Sequence, residues 1–175
     1  MPPAAHRKSR PATEEEVRVL ASAFRLRILR LCLDRPLTNK EIAARLGVHP
    51  ATTLHHVRRL VATGFLAAQQ ERRGARGARE VPYLATGKSW TLDVEESHAG
   101  DQARATIDAF VDEVRLSNPD QVHTWRLGLR LDEKQLAELR DRLGELLDEF
   151  AARQMDPSGR AYSLFVAVHP DALRD

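Results

Sequence analysis

The sequence predicts an α+β fold: helices first, then two short strands, then a long helix and a small strand-helix-strand region. Three observations predict it. Apolar residues recur three or four apart from Val17 to Leu31 and again from Ile42 to Val61, the period of helices buried along one face. Two short apolar runs, residues 65–68 and 81–85, flank a stretch rich in arginine and glycine, as strands flank a hairpin tip. Charge is also divided. Residues 1–90 hold 17 Lys and Arg against 7 Asp and Glu, whereas residues 91–175 hold 10 against 18. A basic half suits a polyanion and an acidic half suits something else.

Composition bounds the rest. The chain has 175 residues, 42% hydrophobic and 30% charged, with a net charge of +2. That mix fits a soluble protein of one compact domain or two small ones. No apolar run approaches the roughly 20 residues that span a bilayer, which excludes a membrane-spanning helix. Residues 1–10 lack the apolar stretch of a secretory signal, so a cytoplasmic location is expected. The single cysteine, Cys32, excludes a disulfide within the chain and any multi-thiolate metal site.

Residues 1–12 carry Pro2, Pro3 and Pro11 between Arg7, Lys8 and Arg10, and read as a disordered basic arm. Thr13 is an N-cap candidate with Glu14, Glu15 and Glu16 in the first turn. The stripe Val17, Leu20, Phe24, Ile28, Leu31 follows, with a break between two helices expected at Ser22 or Ala23. Thr38 and Glu41 form a capping-box pattern. Ile42, Ala43 and Leu46 are the buried stripe, and Gly47 suits the C-terminal turn. Pro50 fits the first turn of a further helix, which runs to about Ala62 with Thr53, Val57, Leu60 and Val61 inward until Gly64 stops it.

Residues 69–80 hold four arginines and two glycines, a flexible basic hairpin tip. Ala103, Ile107, Phe110, Val111 and Val114 form the next amphipathic stripe, broken at Asn118-Pro119. Residues 124–131 alternate like a strand. Asp132 with Gln135 makes a second capping-box pattern, with Leu131 and Leu136 as a staple. Leu136, Leu139, Leu143, Leu146 and Phe150 then stripe a helix, and residues 162–168 read as a last strand. Trp125, Phe150, Tyr162 and Phe165 are the candidate core of this region, with Trp90 at its junction.

Residues 38–64 therefore give helix, tight turn, helix, stop, which is helix-turn-helix spacing. The second helix of such a pair lies in the DNA major groove. With Thr53, Val57 and Leu60 inward, Ala51, Thr52, Leu54, His55 and Arg58 fall on or near the outer face. Thr52 and His55 can hydrogen-bond base edges, and Ala51 and Leu54 suit thymine methyls. Arg58 and Arg59, two turns in, suit phosphates. The hairpin that follows is a wing, whose Arg72, Arg73, Arg76 and Arg79 suit a phosphate backbone or a narrow minor groove. With Thr38 and Pro50 at the starts of the two helices, these residues make up the expected DNA-binding set. His55 is read as facing DNA and His56 as partly packed.

These segments resemble the ArsR-type winged helix-turn-helix repressors. Residues 20–29 are similar to that family's opening segment, residues 38–47 to its first motif helix, and residues 49–60 to its recognition helix. Gly64-Phe65-Leu66 enters the wing. The likeness covers about residues 14–92, plus the helix after it as a dimerisation element. It implies a homodimer on a pseudo-palindromic operator of double-stranded DNA, repressing by blocking polymerase. The Cys-x-Cys signature of the metal-sensing members is absent near the recognition helix, Cys32 reads as a buried small hydrophobe, and no metal or cofactor is expected.

The expected organisation is a basic arm over 1–12, a winged helix-turn-helix domain over 13–96, a linker and dimerisation helix over 97–120, and a C-terminal α/β dimerisation or effector region over 121–175. There is no phosphate-binding glycine loop, no GxSxG elbow and no HExxH, so catalysis is not expected. Two rival functions remain open: a winged helix used for protein–protein contact, and a regulator gated by an unidentified small molecule in the C-terminal region.

Overall fold

The computed structural model describes residues 10–74, 77–93, 96–153, 156 and 158–174. They fall into two units that meet in sequence between His123 and Thr124.

The first unit opens with a two-residue strand, β1 (Arg10–Pro11), then α1 (Glu14–Leu20) and α2 (Ala23–Leu31). Thr13 caps α1 through a complete capping box with Glu16, and Ser22 is the N-cap of α2, where the break was expected. β2 (Leu37–Thr38) leads into α3 (Asn39–Leu46), whose capping box pairs Thr38 with Glu41. Gly47 ends α3 at φ 68°, a left-handed conformation that costs glycine nothing. α4 (Pro50–Ala62) follows after a three-residue turn.

Beyond α4, the wing is built from β3 (Leu66–Ala68), β4 (Arg72–Arg73), β5 (Arg79–Glu80) and β6 (Pro82–Ala85). β6 is the middle strand of an antiparallel sheet in the order β2-β6-β3, with Leu37 opposite Tyr83 and Leu66 opposite Ala85. β4 and β5 pair separately, Arg72 opposite Glu80. The basic tip expected to be flexible therefore carries its own short ladder. Arg76 lies outside the described residues.

The core is one cluster: Val19 and Leu20 of α1, Ile28 and Leu29 of α2, Ile42 of α3, Val57 and Leu60 of α4, with Phe65 and Leu66 entering the sheet. Cys32 is fully buried within it, a small hydrophobe as expected. Burial pushes its thiol pKa up to about 12, which leaves no thiolate at neutral pH.

A short 3-10 turn (Lys88–Thr91) leads to β7 (Leu92–Asp93), which pairs in parallel with β1. The last residues of the expected disordered arm are thus ordered. Arg10 is their anchor: its guanidinium donates to both oxygens of the Glu16 carboxylate, at 2.6 and 2.9 Å. Glu16 is buried and also meets the Lys88 ammonium at 2.6 Å. Lys88 reaches on to the Thr63 carbonyl at the end of α4.

α5 (Glu96–Val114) packs on α1 and α2. Its buried face is small, Ala105 and Ala109, which lets the helices approach closely. Arg27 to Asp112 (3.2 Å) and Arg30 to Glu113 (2.9 Å) flank the contact. Of the larger stripe singled out in the sequence, Ala103 and Ile107 are exposed, and Phe110, Val111 and Val114 are half-buried. Trp90 is also exposed, not packed at a junction.

Among its described residues the second unit holds one regular element, α6 (Glu133–Ala151), with the Asp132–Gln135 capping box formed. The two flanking segments differ from expectation, since among the described residues no strand ladder runs along residues 124–131 or 161–168. The expected aromatic core is not formed: Trp125, Phe150 and Tyr162 are exposed and Phe165 is half-buried.

Candidate nucleic-acid interface

Three groups fix the angle between α3 and α4. Thr53, fully buried on α4, donates its hydroxyl hydrogen toward Asn39 Oδ1 at 2.8 Å and lies 3.0 Å from the Pro50 carbonyl. Asn39 Nδ2 donates to the same carbonyl at 2.8 Å. The first residue of α3 is thereby tied to the first turn of α4. Sequence reasoning missed Asn39. The signal was faint: a polar residue beside a cap, whose partner lies 14 residues on.

His49 caps α4, its Nδ1 accepting from the Ala51 N–H at 3.2 Å, and Pro50 occupies the first turn, where its missing N–H has no bond to lose. Thr53, Val57 and Leu60 are buried, as the register requires. Ala51, Thr52, His55 and Arg58 are exposed, and Leu54 and Arg59 are half-buried. One face of α4 thus presents a methyl, a hydroxyl, an imidazole and a guanidinium in two turns, the groups that read and grip a duplex.

His56 turns the other way. Its ring packs 4.8 Å from Phe24, and its Nδ1 is buried without a hydrogen-bond partner. Burial, then Arg25, His55 and Arg59, hold its pKa below the usual imidazole value. It is a partly packed histidine, as expected.

Thr38 behaves differently from the rest of the expected set. It is buried, and its hydroxyl accepts from the Glu41 N–H at 3.2 Å. It holds the start of α3 and offers little surface to a ligand. Beside it, Asn39, Lys40, Arg79, Glu80, Val81 and Tyr83 line a shallow groove between α3 and the wing.

The wing is tied to the motif through Arg72, whose guanidinium meets Glu41 Oε1 at 2.6 Å. Glu41 thus serves both the capping box and the wing. Its carboxyl pKa is lowered by the Thr38 backbone N–H first and by Arg72 after. Arg79 pairs with Glu71 at 3.0 Å while staying open to solvent, and Arg73 is exposed. Surface pairs of this kind are weak, so phosphates can displace them. Among the described residues, no three His, Cys, Asp or Glu side chains are grouped to hold a metal ion, and no helix is long and apolar enough to cross a membrane.

A winged helix-turn-helix with this face and this charge is the architecture of DNA-binding transcriptional regulators. Residues 20–68 match the family model described as a helix-turn-helix domain, from the end of α1 through β3. No curated relative matches the chain. Solved structures similar to it include reduced HlyU from Vibrio cholerae, at 20% identity over 55% of this chain and 84% of that one, TM-score 0.37. A variant of ZitR from Lactococcus lactis is 17% identical over 83% and 86%, TM-score 0.36. The adhesin competence repressor from Streptococcus pyogenes is 17% identical over 81% and 83%, TM-score 0.30.

Proposed function

We propose that this chain is a sequence-specific, homodimeric transcriptional repressor resembling the ArsR type, and that α4 reads the major groove. The observation that carries this reading is the outer face of α4. Thr52, His55 and Arg58 stand exposed on it, while Thr53 and Asn39 lock the helix against α3.

The wing supports the reading. Arg72, Arg73 and Arg79 sit on one hairpin, with Arg72 held against α3. Thr52 and His55 carry base discrimination, with Ala51 and Leu54 beside them for thymine methyls. Arg58, Arg59 and the wing arginines, Arg76 among them, carry backbone affinity. The homodimer is supported by the outward stripe of α5, where Ile107 is exposed. A two-fold pair would set two recognition helices about one DNA turn apart on a pseudo-palindrome.

Fluorescence anisotropy with a duplex from the gene's own upstream region, against a scrambled duplex over a salt series, tests the reading. The regulator binds its own duplex more tightly, with a steep salt dependence. A winged helix that docks on protein binds both duplexes weakly and alike, and that result overturns the proposal.

A further inference from the structure

The wing is built in two pieces with a bend between them. Ala68 pairs with Tyr83 on the first ladder and Arg72 with Glu80 on the second, so residues 69–71 on one strand stand against 81–82 on the other. The extra residue makes a bulge, and a bulge bends the strand that carries it. Below the bulge, backbone fixes the wing to the motif: β2 runs straight into α3, and Thr38 at its end pairs with Pro82. Beyond the bulge, β4 and β5 pair only with each other among the described residues. The tie from this tip to the motif is a cluster of charges.

Arg72 lies at the centre of that cluster. Its guanidinium meets Glu41 Oε1 of α3 at 2.6 Å, and its Nε faces Glu80 Oε2 across the hairpin at 3.8 Å. Glu41 is held in place before Arg72 arrives, because its other oxygen, Oε2, accepts from the Thr38 N–H at 2.7 Å. A pair loses less side-chain entropy when one partner is already ordered, and a network of charges outlasts an isolated surface pair. Glu80 has its own seat. Its side chain lies over Gly74, where a Cβ would run into it, so space calls for glycine there. Two carboxylates on one guanidinium leave the cluster one charge negative. An arriving phosphate meets carboxylates, so Arg72 neutralises none and releases no counterion. Arg73 and Arg79 stand open to solvent instead.

We infer that Arg72 is a positioning residue of the DNA complex: the Glu41–Arg72–Glu80 bridge sets the angle at which the wing leaves the motif, and through it where Arg73 and Arg79 meet the duplex while α4 lies in the groove. The inference rests on the DNA-binding reading and narrows it by one residue, since Arg72 leaves the set that grips the backbone.

The full chain is compared with Glu41→Gln, Arg72→Met, the double variant and Arg73→Met, on the upstream and scrambled duplexes over a salt series. Glutamine at position 41 keeps the capping box, which takes Glu or Gln, and removes only the charge that holds Arg72. A bridge and a grip predict opposite signs for it. If Arg72 positions the wing, Glu41→Gln and Arg72→Met each weaken binding to the upstream duplex by about threefold. The double variant is then no weaker than either, and the salt slope is unchanged in all three. Arg73→Met alone flattens the slope, by about one unit or less. Unchanged or tighter binding by Glu41→Gln, a slope flattened by Arg72→Met, or losses that add in the double variant would overturn the inference. Trypsin supplies an arm without DNA, because Glu41→Gln leaves every cleavage site in place. Cutting after Arg73 and Arg79, relative to Arg142 of α6, is expected to quicken by about twofold or more as the tip loosens. Unchanged cutting would overturn the bridge. Quickened cutting in a chain that prefers neither duplex would support the bridge and overturn the DNA-binding reading instead.

Discussion

The Thr53 hydroxyl lies 2.8 Å from Asn39 Oδ1, joining the second helix of the motif to the first residue of the helix before it. Thr53 is fully buried, and Asn39 both accepts from its hydroxyl and donates to the Pro50 carbonyl. Truncating Asn39 removes both hydrogen bonds, which together contribute about 1–3 kcal/mol. Asn39→Ala is therefore expected to lower stability by about that much in urea titration. It should also reduce the ratio of specific to scrambled DNA binding, because α4 is no longer held at its angle. Unchanged stability and ratio would show that packing alone sets the motif.

Backbone grip and base reading separate by salt. Arg58→Ala and Arg73→Ala are expected to weaken binding to every duplex alike. Each should flatten the slope of log affinity against log salt by about one unit or less. A loss confined to the specific duplex would move these residues into the base-reading set.

His56 on one side and the Glu16 and Glu41 carboxylates on the other place acid sensitivity in separate ranges. His56 has its imidazole pKa held below 6.5, chiefly by burial. Protonation is then harder folded than unfolded, so its contribution is whole above pH 6.5 and falls away below it. Glu16 is held well below its ordinary 4.5, by the Arg10 guanidinium first and by Lys88 and the Thr13 N–H after. Its contribution is whole above pH 4.5 and is lost only in stronger acid. Melting temperatures across pH 3–7 are expected to fall in these two stages. His56→Leu should remove the upper stage and Lys88→Met should move the lower one upward. A single stage unaffected by either substitution would count against both assignments.

Cys32 is expected to resist alkylation in the folded protein at pH 8 and to react quickly in urea. Burial raises its thiol pKa to about 12, and the thiolate is the reactive form. Rapid labelling of the native chain would mean that the core opens there.

Local grammar made much of this legible. The Thr38–Glu41 and Asp132–Gln135 capping boxes, the Ser22 break, Gly47 and the Thr53-Val57-Leu60 register need only neighbours within a turn or two, and each stands where the sequence put it. Relationships at long range were not legible. Two residues of β1 find β7 across some 80 positions with no periodicity to announce it, so Arg10 read as part of a loose arm. The α5 stripe was visible, but the face turned to α2 proved to be Ala105 and Ala109, which carry almost no amphipathic signal. The alternation in residues 124–131 and 162–168 was plain, yet alternation alone does not name a partner. At the DNA face, the residue types on α4 could be read from spacing, whereas the Arg72–Glu41 tie depends on how the wing folds back.

The most direct test of the central claim is the ratio of affinities for the upstream and scrambled duplexes, measured for the protein and for Thr52→Ala and His55→Ala at one salt concentration. Each base contact contributes about 1–3 kcal/mol of discrimination. The ratio is therefore expected to fall at least fivefold in each variant, with affinity for the scrambled duplex nearly unchanged. A ratio that stays the same in both would contradict the claim that this face of α4 reads the sequence.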